Sequence, residues 1–230
     1  MIKLHNITKC YGKKTALSLS SLVIRPRECA GLVGNNGAGK TTMLSLILDL
    51  IKPTTGYITS KGARVSETDD WKNYTGSFLN EGFLIPFLTP MEYFEFIAGL
   101  HGLNKEDVAS FLSANQGFYN DDITAKKYIR ELSSGNKNKI GMLASILWKP
   151  EVLLLDEPFS NLDPTSQSWL KFKLRELNSD GMTMVISSHD LNHISEISTR
   201  VLLLEEGSLI KDKSTGQDTL KELESYFNVR

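Results

Sequence analysis

The sequence predicts an α/β protein: a mostly parallel sheet wrapped by helices and interrupted by a helical block. Three observations carry this. Apolar runs of four or five residues, such as those within 29–33, 152–155 and 183–187, have the length and composition of strands buried on both faces. Helix-start signals follow these runs, so strand and helix alternate along the chain. Between about 84 and 149 the alternation stops and only helix signals remain. One domain over 1–230 is expected, with an α/β core from 1–83 and 150–230 and an inserted helical subdomain over 84–149.

Residues 2–8 (IKLHNIT) alternate apolar and polar, as a strand with one buried face does. A turn over YGKKTAL follows. The stretch LSLSSLVIRPRECAGLVG then holds two strands separated by the Arg25-Pro26 break, and the second runs from Cys29 straight into Gly34. Met43, Leu44, Leu46, Ile47 and Leu50 recur at helical spacing, with Pro53 as the stop. Short strands are expected at 56–62 and 74–79.

In the helical block, Thr89, Pro90 and Glu92 make a capping box with proline at the first helical position, ahead of a stripe of Phe94, Ile97 and Ala98. Asn104 and Asp107 repeat the signal before Val108, Phe111 and Leu112. A third helix is expected near 122–130. A fourth is expected over 135–148, with Ile140, Leu143, Ala144 and Leu147 on one face. FLIPFL (83–88) is read as core of this block, and Lys126, Lys127, Lys137 and Lys139 as solvated.

Past Pro150, 152–158 is a buried strand ending in two acids. Asp163-Pro164 opens a helix carrying Trp169, Phe172 and Leu177. A further buried strand, 183–187, ends beside His189, and 201–205 with 208–210 form a hairpin around Glu206-Gly207. From Lys211 onward, mostly charged helix surface is expected.

A net charge of −1 leaves no electrostatic footprint for nucleic acid or an anionic membrane. No apolar run approaches the ~18 residues that span a bilayer, and the start, MIKLHNITKC, lacks the apolar stretch of a signal peptide. Cys10 and Cys29 have neither metal-site spacing nor the pattern of a disulfide framework. A soluble cytoplasmic protein with reduced cysteines is expected.

The chemistry centres on GNNGAGKTT at 34–42, which fits the phosphate-binding pattern G-x-x-x-x-G-K-[ST]. Gly34, Gly37 and Gly39 allow a tight turn whose amides point inward, with Asn35, Asn36 and Ala38 between them. A helix starting at Gly39 aims its positive end at the same anion. Lys40 brings a mobile positive charge, the Thr41 hydroxyl is a natural Mg²⁺ ligand, and Thr42 completes the stretch. Ligands of such sheets sit at the carboxyl ends of strands, where this loop, Asp156-Glu157 and Ser187-Ser188-His189 all stand. Asp156 suits a Mg²⁺ contact, Glu157 can orient or deprotonate an attacking water, and His189 can polarise a γ-phosphate.

The ordered set of motifs resembles the ATP-binding subunit of an ABC transporter, over essentially the whole chain. LSSGN at 132–136 resembles the signature and precedes the Walker B strand; SNLDP at 160–164 resembles the D-loop, with Asp163 in it. His189 falls where the H-loop histidine belongs, and Tyr11, followed by Gly12, where the adenine-stacking aromatic lies. The resemblance implies a P-loop NTPase core with an N-terminal antiparallel β portion and an inserted α-helical subdomain. It implies ATP hydrolysis with ATP and Mg²⁺ as cofactors. Two subunits, identical or related, would pack head to tail, so that Ser133, Ser134, Gly135 and Asn136 of one complete the γ-phosphate site of the other.

An integral membrane permease would dock on the helical subdomain and hold the chain at the cytoplasmic face of the cell membrane; the alternative to FLIPFL (83–88) as core is that part of it lines the groove where the permease docks. The signature region and the short tail resemble the exporter type. Three positions depart from the family. Asn80 stands where glutamine is usual and is assigned to Mg²⁺ and the attacking water. Ser134 replaces the first signature glycine and is strained if that position needs a positive φ. Asn136 replaces glutamine or methionine. An active but slow ATPase is expected. The alternatives are a soluble ATPase of the same family acting on protein or RNA, and a nucleotide-gated module with little turnover.

Overall fold

A computed structural model describes residues 1–119 and 126–228. Two alternating strands, β1 (Ile2–Tyr11) and β2 (Lys14–Ile24), form an antiparallel hairpin. The apolar β3 (Cys29–Val33) is buried throughout and leads into α1 (Lys40–Ile47). Next come β4 (Thr55–Ser60), the short β5 (Ala63–Arg64) and β6 (Thr75–Phe78).

The helical block holds α2 (Pro90–Leu100) and α3 (Lys105–Ala114), each opened by the capping box its sequence promised, and α4 (Ser134–Ile146). Then β7 (Val152–Leu155), α5 (Pro164–Ser179), β8 (Thr183–Ser188) and α6 (Leu191–Ile197) restore the alternation. The hairpin of β9 (Arg200–Glu205) and β10 (Ser208–Ser214) and the helix α7 (Thr219–Asn228) follow.

Among the described residues the strands make one sheet in the order β5-β4-β1-β2-β10-β9-β3-β8-β7-β6. The run β9-β3-β8-β7-β6 is parallel, and β5-β4-β1-β2 is antiparallel. The two parts meet where β10 pairs with β2 at Ser208 and Ser18. Arg200 reinforces that seam: it donates to Asp212 through Nε and Nη2, at 2.5 and 2.6 Å, and to the Val23 carbonyl at 2.8 Å. The period-two alternation of the buried strands sends side chains into two cores. Cys29, Val33, Leu153 and Leu155 face the helical block, whereas Ala30, Leu32, Val152 and Leu154 face α1 and the N-terminal hairpin. α4 lies close on β6, since a Cβ at Gly141 would meet the Phe78 ring at 2.1 Å.

Several expectations need correction. α1 ends at Ile47, and Asp49 turns the chain with φ 50°, so Leu50 is 49 % exposed and Pro53 is not the stop. In α5 the buried positions are Ser166, Leu170 and Leu174; Phe172, expected to pack, is 67 % exposed. β10 runs on to Ser214, so the chain from Lys211 begins as strand. Of the helix expected near 122–130, residues 122–125 lie outside the described residues, and the rest holds a 3₁₀ turn at Ile129–Glu131. FLIPFL divides: Leu84 is buried, while Phe83 and Phe87 are exposed. Lys137 and Lys139 are not free solvated charges; they reach Glu81 at 3.9 Å and Asp163 at 3.3 Å.

Candidate active site

The parallel register places the candidate groups on one edge. Val33 pairs with Ser188 and Leu155 with Ile186, while Phe78 pairs with Leu155. The residues just beyond these ends are the glycine-rich loop, Asp156-Glu157, His189 and Asn80. Asp156 therefore stands one residue past its strand, not within it.

The loop leans on the sheet seam. Gly34 (φ 154°) has no room for a side chain, because a Cβ would sit 2.3 Å from the Leu204 carbonyl oxygen. Gly39 (φ 107°) caps α1, and its Cβ would meet Ala16 O at 2.7 Å. Gly207 N donates to Ala38 O at 3.0 Å, and Ser18 N donates to Gly207 O at 2.7 Å. Strands from both halves of the sheet thus fix the loop from behind.

Lys40, at the first turn of α1, is buried; its Nζ donates to Gly34 O at 2.6 Å and lies 3.3 Å from Glu157 Oε1. Thr41 Oγ1 donates to Asp156 Oδ2 at 2.5 Å. Ser187 Oγ donates to the other oxygen, Asp156 Oδ1, and accepts from the Glu157 N–H at 2.9 Å. Glu157 has φ 47°, a left-handed conformation that costs a non-glycine residue about 1–2 kcal/mol and must be held by its surroundings. His189 holds the Glu157 carboxylate twice, from its backbone N–H at 3.2 Å and through Nδ1 at 2.8 Å from Oε2.

A cavity of about 300 Å³ joins these groups, lined by residues 35–42, Lys14, Ala16, Asp156, Glu157 and, at its mouth, Tyr11. The Tyr11 ring is exposed, with Lys9 Nζ 4.8 Å from its centroid. A neighbouring cavity of about 230 Å³ is shared by Asn80, Asp156, Glu157, Asn138 and Ser160. Asn80 thus borders the acid pair, but its side-chain carbonyl accepts from Gly82 N at 2.8 Å and caps the turn over 81–83.

Ser133, Ser134, Gly135 and Asn136 do not line the phosphate-loop cavity of their own chain. Ser133 caps α4, accepting from Asn136 N at 3.3 Å, and Ser134 is its first residue without a positive φ, so the strain considered for serine there does not arise. Asp163 caps α5: it accepts from Ser166 N at 2.9 Å and Ser166 Oγ at 2.6 Å, with Lys139 alongside, and these donors hold its carboxyl below the usual range. Cys29 is buried, and burial pushes its thiol up to about 12, which suits an inert core residue. Sequence reasoning left Ser187 without a role. Its only local signal is a hydroxyl at the end of an otherwise apolar run.

Known proteins match this arrangement. A family model described as "ABC transporter" matches residues 17–160. The chain is 34 % identical over 230 residues to the uncharacterized ABC transporter ATP-binding protein YhaQ of Bacillus subtilis (strain 168), covering 100 % of this chain and 75 % of that protein. It is 31 % identical over 228 residues to the lantibiotic transport ATP-binding protein SrtF of Streptococcus pyogenes, covering 99 % and 96 %. A dimeric structure of a post-hydrolysis state of the ATP-binding cassette MJ0796 bound to ADP and Pi superposes with TM-score 0.83 at 26 % identity, covering 94 % of this chain and 99 % of that one. A phosphate loop, an acid pair and a histidine on one sheet edge, in a chain alike end to end, leave one conclusion: the chain belongs to the ABC transporter family, as an ATP-binding and ATP-hydrolysing subunit.

Proposed function

We propose that Lys40, Asp156, Glu157 and His189 form the hydrolytic centre of this subunit, within a core of 1–83 and 150–230 that carries the helical insertion 84–149. One observation carries the reading: residues past the ends of β3 and β7, distant in sequence, line one glycine-walled cavity, and His189, past the end of β8, binds the Glu157 carboxylate. The loop amides and Lys40 bind the phosphates, and Tyr11 stacks on the adenine. Thr41 and Asp156 offer oxygen donors that suit Mg²⁺. Among the described residues no three His, Cys, Asp or Glu side chains gather as a metal cage, as fits an ion that fills its shell from phosphates and water. When bound, Mg²⁺ supplies charge neutralisation at the phosphate oxygens. Glu157 then accepts a proton from the attacking water while His189 orients its carboxylate.

Two subunits pack head to tail, and Ser133, Ser134, Gly135 and Asn136 of one meet the γ-phosphate held by the other. The distance of these residues from their own cavity supports this, as does the dimeric state of the MJ0796 cassette. Closure follows if ATP is gripped by both halves and ADP by one. A membrane permease docks on the border of the helical subdomain, at a groove lined by Leu48, Leu50, Trp71, Leu79 and Phe83. Its exposed aromatic, Phe83, and the nearby Phe87 support that site. Attachment is to the cytoplasmic face through that permease; among the described residues no helix is long and apolar enough to cross a membrane. The likeness to a lantibiotic transport protein supports a transport role, and the net charge of −1 argues against a nucleic-acid partner.

Glu157→Gln is expected to abolish phosphate release and accumulate an ATP-bound dimer on size-exclusion chromatography. Lys40→Ala is expected to lose nucleotide binding itself. A Glu157→Gln protein that hydrolyses ATP at the wild-type rate refutes the assignment. Solubilised membranes should yield the chain with a polytopic partner; recovery with soluble partners alone refutes the permease.

A further inference from the structure

We propose that Asn138 is a positioning residue for Glu157, acting through Ser160; the inference rests on Glu157 being the carboxylate that activates water. Asn138 is 5 % exposed, on the packed side of α4, where an amide is retained only with partners. Its Nδ2 donates to Ser160 O at 2.7 Å and lies 3.4 Å from Ser160 Oγ. Ser160 in turn donates to the Glu157 carbonyl twice, from its N–H at 3.1 Å and its hydroxyl at 2.8 Å. The Glu157 N–H goes to Ser187 of β8. Both backbone groups of Glu157 are therefore held, one from the sheet and one, by way of Ser160, from the helical block.

The segment so held bends at both ends, with φ 47° at Glu157 and 59° at Asn161. Non-glycine residues keep such angles only where neighbours over-determine them. α4 touches the segment a second time, since a Cβ at Gly135 would lie 2.7 Å from Asn161 O. Asn138 and Glu157 also line the same cavity. The first turn of α4 carries the signature residues, and Asn138 follows directly. A displacement of that helix is thereby passed within one subunit to its own water-activating carboxylate, through one side chain and one turn.

The test uses the full chain. Asn138→Leu removes the amide while keeping the number of side-chain heavy atoms and favours helix, and Asn138→Gln keeps the amide. Phosphate release at saturating MgATP is expected to fall about tenfold or more in Asn138→Leu, as for a catalytic group displaced by a fraction of an ångström. Nucleotide affinity stays within about twofold, because Asn138 is remote from the phosphate loop, and Asn138→Gln recovers part of the rate. Ser160→Ala removes only the hydroxyl bond to the Glu157 carbonyl and leaves the main-chain path from Asn138 in place, so its loss is expected to be smaller than that of Asn138→Leu. Wild-type turnover in Asn138→Leu, a matching loss of nucleotide affinity, or a larger loss in Ser160→Ala than in Asn138→Leu overturns the proposal. If Asn138→Leu does not fold, Asn138→Ala removes the same amide without added bulk, and its full activity is equally decisive. Glu157→Gln separates the two readings: residual hydrolysis there removes the role of Glu157, whereas an inactive Glu157→Gln beside a fully active Asn138→Leu removes only that of Asn138.

Discussion

Ser187→Ala probes how the acid pair is held in place. The hydroxyl is fully buried and serves two masters, donating to Asp156 and accepting from the Glu157 N–H at 2.9 Å. Alanine removes both bonds and adds nothing. Asp156 keeps its contact with Thr41 at 2.5 Å, but the Glu157 amide loses its acceptor at a residue already in a left-handed conformation. An unsatisfied buried donor costs about 1–3 kcal/mol. At about 2–4 °C per kcal/mol for a chain of this size, the midpoint falls by about 2–12 °C. If the same energy is lost from the positioning of Glu157, phosphate release slows about 5- to 150-fold. ADP affinity without Mg²⁺ is retained, since Ser187 does not line the phosphate-loop cavity. Ser188→Ala is the control: its hydroxyl accepts from Asp190 N at 3.0 Å, away from the acids. Differential scanning calorimetry and single-turnover phosphate release read both quantities. An unchanged midpoint and rate in Ser187→Ala, or the same loss in Ser188→Ala, refutes the reasoning.

Three further perturbations address other links. Gly141→Ala drives a methyl into the Phe78 ring, 2.1 Å from Cε2, and overpacking of this kind destabilises by about 1–3 kcal/mol; an unmoved calorimetric midpoint contradicts the close α4–β6 contact. Tyr11→Ala should weaken ATP binding far more than Tyr11→Phe in equilibrium titrations, because stacking needs the ring; equal losses would point to the hydroxyl. Burial holds the His193 imidazole below its usual 6.5, against the pull of Asp190, with its ring 4.3 Å from Phe159. The unfolded chain then takes up the proton first, so stability falls as pH drops below about 6.5. Between about pH 7.5 and 5 the midpoint of His193→Leu should decline less steeply than that of the wild type; parallel declines refute it.

What the sequence revealed was what local chemistry determines. The capping boxes at Thr89 and Asn104 and the cap at Asp163 formed as written, because their partners lie three residues away. The buried runs of β3 and β7 were legible for a similar reason, being apolar at every position, and β8 through its apolar centre Met184–Ile186. Failures came where a neighbour remote in sequence decides. On α5, Trp169 and Leu177 pack against the core beside the buried Leu170 and Leu174, with Leu170, Leu174 and Leu177 at i, i+4, i+7 spacing, and only Phe172 was misplaced. Leu50 matched its period, but the helix had already ended. At the candidate site, 34–42, the acid pair and His189 were visible as motifs. Ser187 and Asn138 were not, since their partners lie 31 and 22 residues away and a lone serine or asparagine names no partner.

The bracing of the phosphate loop has a consequence for how the chain is made. β3 is flanked by β8 and β9, with Cys29 N bonded to Thr199 across 170 positions, and Ala38 O is bound by Gly207. A ribosome therefore releases the loop early and its supports last. At about 5–20 residues per second the wait is on the order of 10–30 s. During it, five apolar residues of β3 lack either neighbour, which makes them natural clients for a chaperone. The loop reaches its braced form only once the β9–β10 hairpin has emerged, so the order of synthesis sets the site's last support among its latest residues.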